Sequence, residues 1–332
     1  DHLGGYLDAR GVAVDRIGDT LIAVAGDGPV LLFDSHLDTV PPCAGWSRDP
    51  FVASVVAGRV YGLGANDAKA SVAAMVAAFL ALSERPAACA VALALVAGEE
   101  TTSQGTREAL DRLAARGRPI AAAVFGEPTG LDLAVAQKGL LVVELRGHGR
   151  AAHAAHAHAL AAPNAIRQLA RDLVALDAVD LGPAHPELGP TTIEPTVVRA
   201  GTARNVVPDE ALAVLDIRIT PALPAGEVVT RLRAGVTGDL DVRSSRFSPR
   251  ATPPGSALLA AARSARAEAR SYGSATLSDW ALLPEEVPGI KVGPGLSERS
   301  HTPDEFVLEE EVLAGAVFYE ALARAFVAEE RP

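Results

Sequence analysis

Four separated segments of the chain, and a fifth near its end, carry side chains able to bind a divalent metal or move a proton. The first is Ser35-His36-Leu37-Asp38-Thr39. Residues i and i+2 of an extended segment share a side, so the His36 imidazole could take a metal while the Asp38 carboxylate fixes its orientation and raises its basicity. The second, Tyr61-Gly62-Leu63-Gly64-Ala65-Asn66-Asp67-Ala68-Lys69, lacks the third glycine of a dinucleotide-binding loop. It reads as a tight loop entering a helix, with Asp67 at the helix N-terminus, where plain capping is the simplest role for an isolated Asp. The third, Gly98-Glu99-Glu100-Thr101, sets two adjacent carboxylates after an apolar run. Their side chains diverge, so one can bind a metal while its neighbour holds a water. The fourth, Gly126-Glu127-Pro128-Thr129, ends another apolar run; taken alone, Glu127 reads as a solvated loop acid. The fifth, Arg299-Ser300-His301-Thr302-Pro303-Asp304-Glu305, offers His301.

The elements that must position these groups are legible as patterns. Residues 30–35, 90–97 and 121–125 read as buried strands. Residues 68–82, Ala-rich and free of Gly and Pro, read as a helix, as do residues 102–115 behind a Thr-Thr-Ser start suited to capping. Strands alternating with helices predict an α/β domain with a largely parallel sheet, and ligand sites of such sheets gather at the C-terminal strand ends. His36, Glu99, Glu100 and Glu127 then share one edge, joined by Asp67 from the glycine-rich loop and by His301. Imidazole nitrogen and carboxylate oxygen are zinc donors, and a catalytic zinc keeps an open position. Asp67, Glu100, Glu127 and one hydroxide carry four negative charges, matching two divalent cations. Such a pair of ions, ~3.5–4 Å apart, can activate water and polarise a carbonyl together.

The pattern changes near residue 139. Residues 140–146 and 211–220 alternate as half-exposed strands, and residues 164–175, after Pro163, and 227–234 read as helices. Residues 256–272 and 309–327 then read as strong helices. The expected organisation is an α/β catalytic domain with a mostly parallel sheet, residues 1–139 and 252–332, interrupted by a smaller inserted α+β domain, residues 140–251.

Composition limits the function classes. A chain of 332 residues suits two domains, and 49% hydrophobic with 21% charged residues fits a soluble globular enzyme. With 30 basic against 41 acidic side chains the formal net charge is −11, which argues against nucleic acid or an anionic membrane as partner. Apolar runs at 71–83 and 86–98 are too short to span a bilayer. Cys43 and Cys89 cannot form a disulfide framework and no signal peptide is visible, so a cytoplasmic location is expected.

In this order and combination, the segments resemble the acetylornithine deacetylase and succinyl-diaminopimelate desuccinylase family of di-zinc amidohydrolases, relatives of carboxypeptidase G and the aminoacylases. The resemblance spans residues 20–327. It implies two zinc ions, with cobalt or manganese as substitutes: His36 and Glu127 each bind one zinc, Glu100 and His301 bind the other, and Asp67 bridges them. It implies that Glu99 is the general base, taking a proton from the bridging water and passing it to the leaving amine, and that Asp38 orients His36. It makes the inserted domain a lid that forms a homodimer. The lid's strand–Gly–His element matches Gly147-His148-Gly149-Arg150-Ala151-Ala152-His153, so His153 would reach into the partner subunit's site and stabilise the oxyanion. Asn205 and Arg218 match lid positions that hold substrate, and the Arg218 guanidinium suits a bidentate grip on a carboxylate. Ser278 and Asp279 are further substrate-binding candidates.

The chain departs from the family pattern in places. Ala70 replaces a glycine after Asp-x-Lys. Glu127, where aminopeptidase-type relatives carry Asp, favours a deacylase. Before Ser278-Asp279, Leu277 stands where the resemblance to desuccinylases implies Thr, and Gln137-Lys138-Gly139 lacks the arginine that it implies just after the Glu-Pro-Thr strand. A succinyl tail buries a second carboxylate, which is costly without a cation. The expected substrate is therefore a small N-acyl amino acid bearing an acetyl group, of the acetylornithine or acetylcitrulline type of arginine biosynthesis, with Lys138 and Arg204 as the cations that would favour succinyl instead. Alternatives are a succinyl-diaminopimelate desuccinylase, a dipeptidase or a carboxypeptidase of the same family. A catalytically dead binding protein is a different class, and should have lost Glu99 or a metal ligand. His156 and His158 beside His153 read as solvated rather than as a third metal site. Lys69 reads as a loop contact or surface charge, and Trp46 and Trp280 as pocket lining or packing.

Overall fold

The computed structural model describes residues 2–327. In it all seven residues of the Val30–His36 strand are buried, and alternation decides against what. Leu31 and Phe33 join a core with the helices Ala70–Glu84, Ala257–Ala265 and Glu309–Ala325. Val30 and Leu32 join a second core with the helix Gln104–Ala115. The Ala90–Val96 strand divides the same way, with Val91, Leu93 and Leu95 on the first side and Ala90, Ala92, Ala94 and Val96 on the second. Helices on both faces supply the burial that parallel strands require.

These strands belong to a nine-stranded sheet. Its path runs Val14–Ile17, Thr20–Ala25, Ala90–Val96, Val30–His36, Ile120–Phe125, Gly289–Lys291, Leu133–Gln137 and Arg250–Ala251, and Ser271–Ser274 also pairs with Leu133–Gln137. The three pairings in the centre are parallel, but Thr20–Ala25 and Leu133–Gln137 join antiparallel on either flank. The expectation of a mostly parallel sheet is thus corrected to a mixed one. The helical stretch Ala65–Glu84 has a bilayer-spanning length and a mean hydropathy of 1.3, yet 61% of its most apolar window is buried inside the fold; it is a core helix.

The chain divides into two compact units. One comprises Asp1–Ala136, Ala251–Gly273 and Ser278–Pro332; the other comprises Gln137–Arg250 with Ser274–Leu277. The second therefore starts at 137 rather than 140, ends at 250 rather than 251, and takes in four residues that the sequence reading gave to the first. It is a four-stranded antiparallel sheet in the order Thr192–Ala200, Glu210–Ile219, Gly139–His148, Asp239–Phe247. Leu141, Val143, Leu145, Leu215 and Ile217 point to one side, where they share a core with the helices Ala165–Leu176 and Ala225–Gly235. Asn164 caps the first of these, its side chain accepting the Arg167 N–H at 3.1 Å.

One helix expectation fails in part. Of residues 256–272, only Ala257–Ala265 is helical, and Ser271–Ser274 is a strand. Asp132 takes the Arg270 backbone N–H at 2.9 Å and its guanidinium at 2.6 Å, and Leu133 donates to the Arg270 carbonyl at 2.8 Å. Strand pairing against Leu133–Gln137 thus overrides local helix propensity.

Candidate active site

Three parallel strands end side by side, and each delivers an acid or an imidazole. His36 is the last residue of its strand, Glu99 and Glu100 follow Val96, and Glu127 follows Phe125 and Gly126. Ser35 Oγ donates to the Gly126 carbonyl at 2.9 Å, tying two of these ends. A Cβ at Gly126 would lie 2.7 Å from the Ser71 Cβ, so only glycine lets the strand approach the helix here.

The glycine-rich loop brings Asp67 between the two imidazoles. Asp67 Oδ1 lies 3.2 Å from His36 Nε2, and Asp67 Oδ2 lies 3.6 Å from His301 Nε2, which is 3.1 Å from Glu100 Oε1. Ligand atoms of His36, Asp67 and Glu127 all fall within 4.8 Å of one another, as do those of Asp67, Glu100 and His301, and those of His36, Glu99 and Glu100. Two trios therefore share Asp67, each with one imidazole and two carboxylates. His301 sits at a positive φ of 59°, a costly backbone for a residue with a Cβ.

Electrostatics call for added positive charge. Burial, then the charge of Glu127, pushes the Glu99 carboxyl up to about 9. Burial, then Asp67, pushes Glu127 up to about 7. Burial alone would lower His36, but the Asp67 hydrogen bond and the charges of Glu127 and Glu99 outweigh it and hold the imidazole well above its usual range. Four carboxylates crowded around two imidazoles suit two divalent ions, and the mixed nitrogen and oxygen donors suit zinc-type metals. The residues present fit a dinuclear centre.

Asp38 acts differently from its expected role. Its carboxylate is 3.8 Å from His36 Nδ1, whereas its own main-chain oxygen is 3.1 Å away. The carboxylate accepts instead from three backbone N–H groups: Gly98 at 2.9 Å, Glu99 at 3.2 Å and Glu100 at 3.2 Å. The carbonyl orients the imidazole, and the carboxylate shapes the turn that carries both glutamates.

Ser278 and Asp279 are corrected as substrate contacts. Both are 2% exposed. Ser278 caps the short turn Asp279–Leu282 through the Trp280 N–H. Asp279 accepts the Thr106 hydroxyl, which also lies 3.3 Å from Asp34, so two buried acids share one hydroxyl behind His36. Trp280 is 1% exposed and is core packing. Lys69 is a loop contact, 3.4 Å from the Leu63 carbonyl. His156 and His158 are exposed and join no metal-binding trio among the described residues.

Three groups escaped the sequence reading. Asn66, fully buried, takes the Leu296 N–H at 3.0 Å and donates to the Leu296 carbonyl at 3.0 Å and to Ser300 at 3.1 Å, tying the Asp67 loop to the segment of His301. Glu305 accepts from the same loop. Lys291, 2% exposed, ends the Gly289–Lys291 strand, its ammonium lowered by burial against the opposing charges of Glu127 and Glu99. A lysine inside an apolar run was its only signal. A cavity of about 710 Å³ lined by Phe51, Tyr61, Leu63 and Leu313 includes none of the metal-trio residues.

In the second unit, His153 and Asn205 are neighbours. His153 pairs with Val206 across a two-residue ladder, and the Ala154 N–H donates to the Asn205 carbonyl at 2.8 Å. Arg218 already gives Nε and Nη2 to Asp216, at 2.7 and 3.1 Å. Beside it is Lys138, whose ammonium is lowered by burial and by the Arg218 charge, and which donates to the Pro190 carbonyl at 2.7 Å.

The profile of peptidase family M20/M25/M40 matches residues 32–325. The succinyl-diaminopimelate desuccinylase of Rhodospirillum centenum is 32% identical over 336 residues, covering 95% of this chain and 86% of that protein. That of Caulobacter vibrioides is 31% identical, covering 99% and 90%. Among solved structures, aminopeptidase PepT of Bacillus cereus superposes with a TM-score of 0.77 at 21% identity, covering 98% and 91%. YXEP of Bacillus subtilis, described as a dinuclear metal-binding peptidase, superposes with a TM-score of 0.72 at 18% identity, covering 97% and 90%. The chain belongs to peptidase family M20/M25/M40 and is a metal-dependent amidohydrolase.

Proposed function

We propose that the enzyme hydrolyses the amide of an N-acyl amino acid whose acyl group ends in a carboxylate, as in N-succinyl-diaminopimelate. The observation that carries the acyl assignment is the pairing of Lys138 with Arg218. The acetyl reading rests on a missing cation for a second carboxylate; Lys138 lies two residues from Leu140, the strand partner of Arg218, near enough for the Arg218 charge to lower its ammonium. The names of the relatives, at 31% to 37% identity, support the same class. The acetylornithine reading, and with it arginine biosynthesis, gives way to this alternative.

His36 and Glu127 would hold one ion, Glu100 and His301 the other, with Asp67 on both, and zinc is the metal proposed. When bound, the ions supply an activated water and a Lewis acid for the carbonyl. Glu99 belongs to neither Asp67 trio, which leaves its carboxylate free to take the proton of the attacking water and pass it to the leaving amine. The second unit serves as a homodimer-forming lid, and His153 serves the oxyanion of the partner subunit's site.

The test is kcat/KM for N-succinyl and N-acetyl forms of one amino acid, on metal-loaded enzyme. A succinyl preference of about 10²-fold or more is expected. A ratio at or below one would restore the acetyl reading and leave the hydrolase assignment standing.

A further inference from the structure

The Asp67 loop is gripped from behind by one side chain. Glu305 is 2% exposed, and its two carboxylate oxygens accept three backbone N–H groups: Gly64 at 3.1 Å, Asn66 at 2.9 Å and Asp67 itself at 2.9 Å. Its own carbonyl takes a fourth, from Gly62 at 3.1 Å. Glu305 is in turn fixed by the ladder that follows it, where Phe306 pairs with Tyr61 and Leu308 with Arg59. Four residues upstream is His301. The loop cannot easily supply another acceptor: Gly64 has a φ of 75°, and a Cβ there would meet Thr39 at 2.4 Å. A buried carboxylate is costly unless its lone pairs are met, and these N–H groups meet them while being satisfied themselves.

We propose that Glu305 is a positioning residue for the metal centre, setting the backbone of Asp67 so that its two carboxylate oxygens face His36 and His301 at once. This rests on the reading of Asp67 as the shared ligand. The physical reason for the proposal is the sharing itself. A displaced Glu127 disturbs one trio, whereas a displaced Asp67 disturbs both. Loosening the Glu305 grip therefore weakens both ions together, although Glu305 belongs to neither trio. Outer partners of metal ligands typically alter affinity by about 10–100-fold.

The experiment titrates metal-free protein with Zn²⁺ against a chromophoric chelator, comparing wild type, E305Q and D172N. Asp172 is the matched control: a carboxylate 3% exposed in the second unit that grips the N–H groups of Thr237 and Gly238, both at 2.9 Å. Far-UV circular dichroism and thermal melting of the metal-free proteins are recorded alongside. We expect wild type to bind two equivalents, E305Q to weaken both by about 10–100-fold, and D172N to lower the melting temperature without changing either affinity. Should E305Q lose the wild-type spectrum, E305D takes its place with the same expectation, since a shorter acid cannot reach all three donors. Two wild-type affinities in the variant, weakening of one equivalent alone, or equal weakening in D172N would each overturn the positioning role. Failure of wild-type protein to bind two equivalents would instead overturn the dinuclear reading itself, and this inference with it.

Discussion

Asp38 Oδ1 accepts the backbone N–H of Glu99 at 3.2 Å, while its nearest approach to the His36 ring through the carboxylate is 3.8 Å. The carboxylate shapes the glutamate turn, and His36 has a carbonyl partner of its own. Replacing Asp38 by Asn leaves one acceptor oxygen for three donors. We expect kcat to fall by about 10–100-fold, with the His36 side of the centre still able to take metal. Steady-state rates measured beside metal content check this; an Asp38→Asn enzyme with wild-type kcat would mean that the turn holds itself.

Glu99 and Glu100 are adjacent, yet only Glu100 contacts His301, at 3.1 Å. Glu99→Ala should therefore retain two metals per chain and lose turnover by about 10²–10⁴-fold. Elemental analysis and single-turnover rates on one preparation decide it. Stoichiometric loss of a metal would make Glu99 a ligand.

Metal uptake should expel protons. In the metal-free protein Glu99 is raised to about 9 and Glu127 to about 7, and His36 is held well above its usual range. Ligation needs Glu127 and His36 deprotonated, and two added divalent charges favour the ionised form of Glu99 beside them, so zinc binding at pH 7 should release about one proton or more per chain, read by calorimetry in buffers of different ionisation heat. Buffer-independent heats would contradict it. The stability sign follows from the same shifts. The folded Glu99 value lies above its ordinary 4.5, so between these values the metal-free folded state holds more protons than the unfolded state. Stability of the metal-free protein is thus expected to fall as pH rises through that window. A melting temperature that climbs from pH 6 to pH 9 would refute the assignment.

His153 sits beside Asn205 on the second unit, and its proposed role lies in the partner subunit's site. Mixing inactive His153→Ala with inactive Glu99→Ala protein should recover activity, because one mixed site would hold both groups. Recovery approaching a quarter of wild type is the natural ceiling for random pairing with one repaired site in each mixed dimer, roughly, if oxyanion stabilisation is worth the usual two to three orders of magnitude. No recovery after verified subunit exchange would argue for catalysis within one chain.

Much of the site was legible in the sequence because its chemistry is carried by residue type and by place at strand ends. His36, Glu99, Glu100 and Glu127 could be named from segments whose apolar runs announce buried strands, which appear as Val30–His36, Ala90–Val96 and Ile120–Phe125, and Asp67 and His301 from a glycine-rich loop and a late His-bearing segment. What escaped was whatever depends on partners far along the chain. The strand Thr192–Ala200 is exposed over most of its length and shows no clean alternation, so no local signal marked it. The end of the helix beginning at Ala257 was set by Asp132, well over a hundred residues away.

Residue types and their order fix which atoms are available: the imidazoles, the carboxylates, and the glycines and strand ends that let them gather. How those atoms are used depends on the folded chain. It sent the Asp38 carboxylate to backbone N–H groups and the Arg218 guanidinium to Asp216. It also buried Ser278 and Asp279 beneath the site and set Glu305 behind Asp67. The reason is physical. A donor's identity is a property of one residue, but a buried carboxylate goes to whichever unsatisfied N–H groups the fold brings within reach, and that pairing exists only once the distant segments have met.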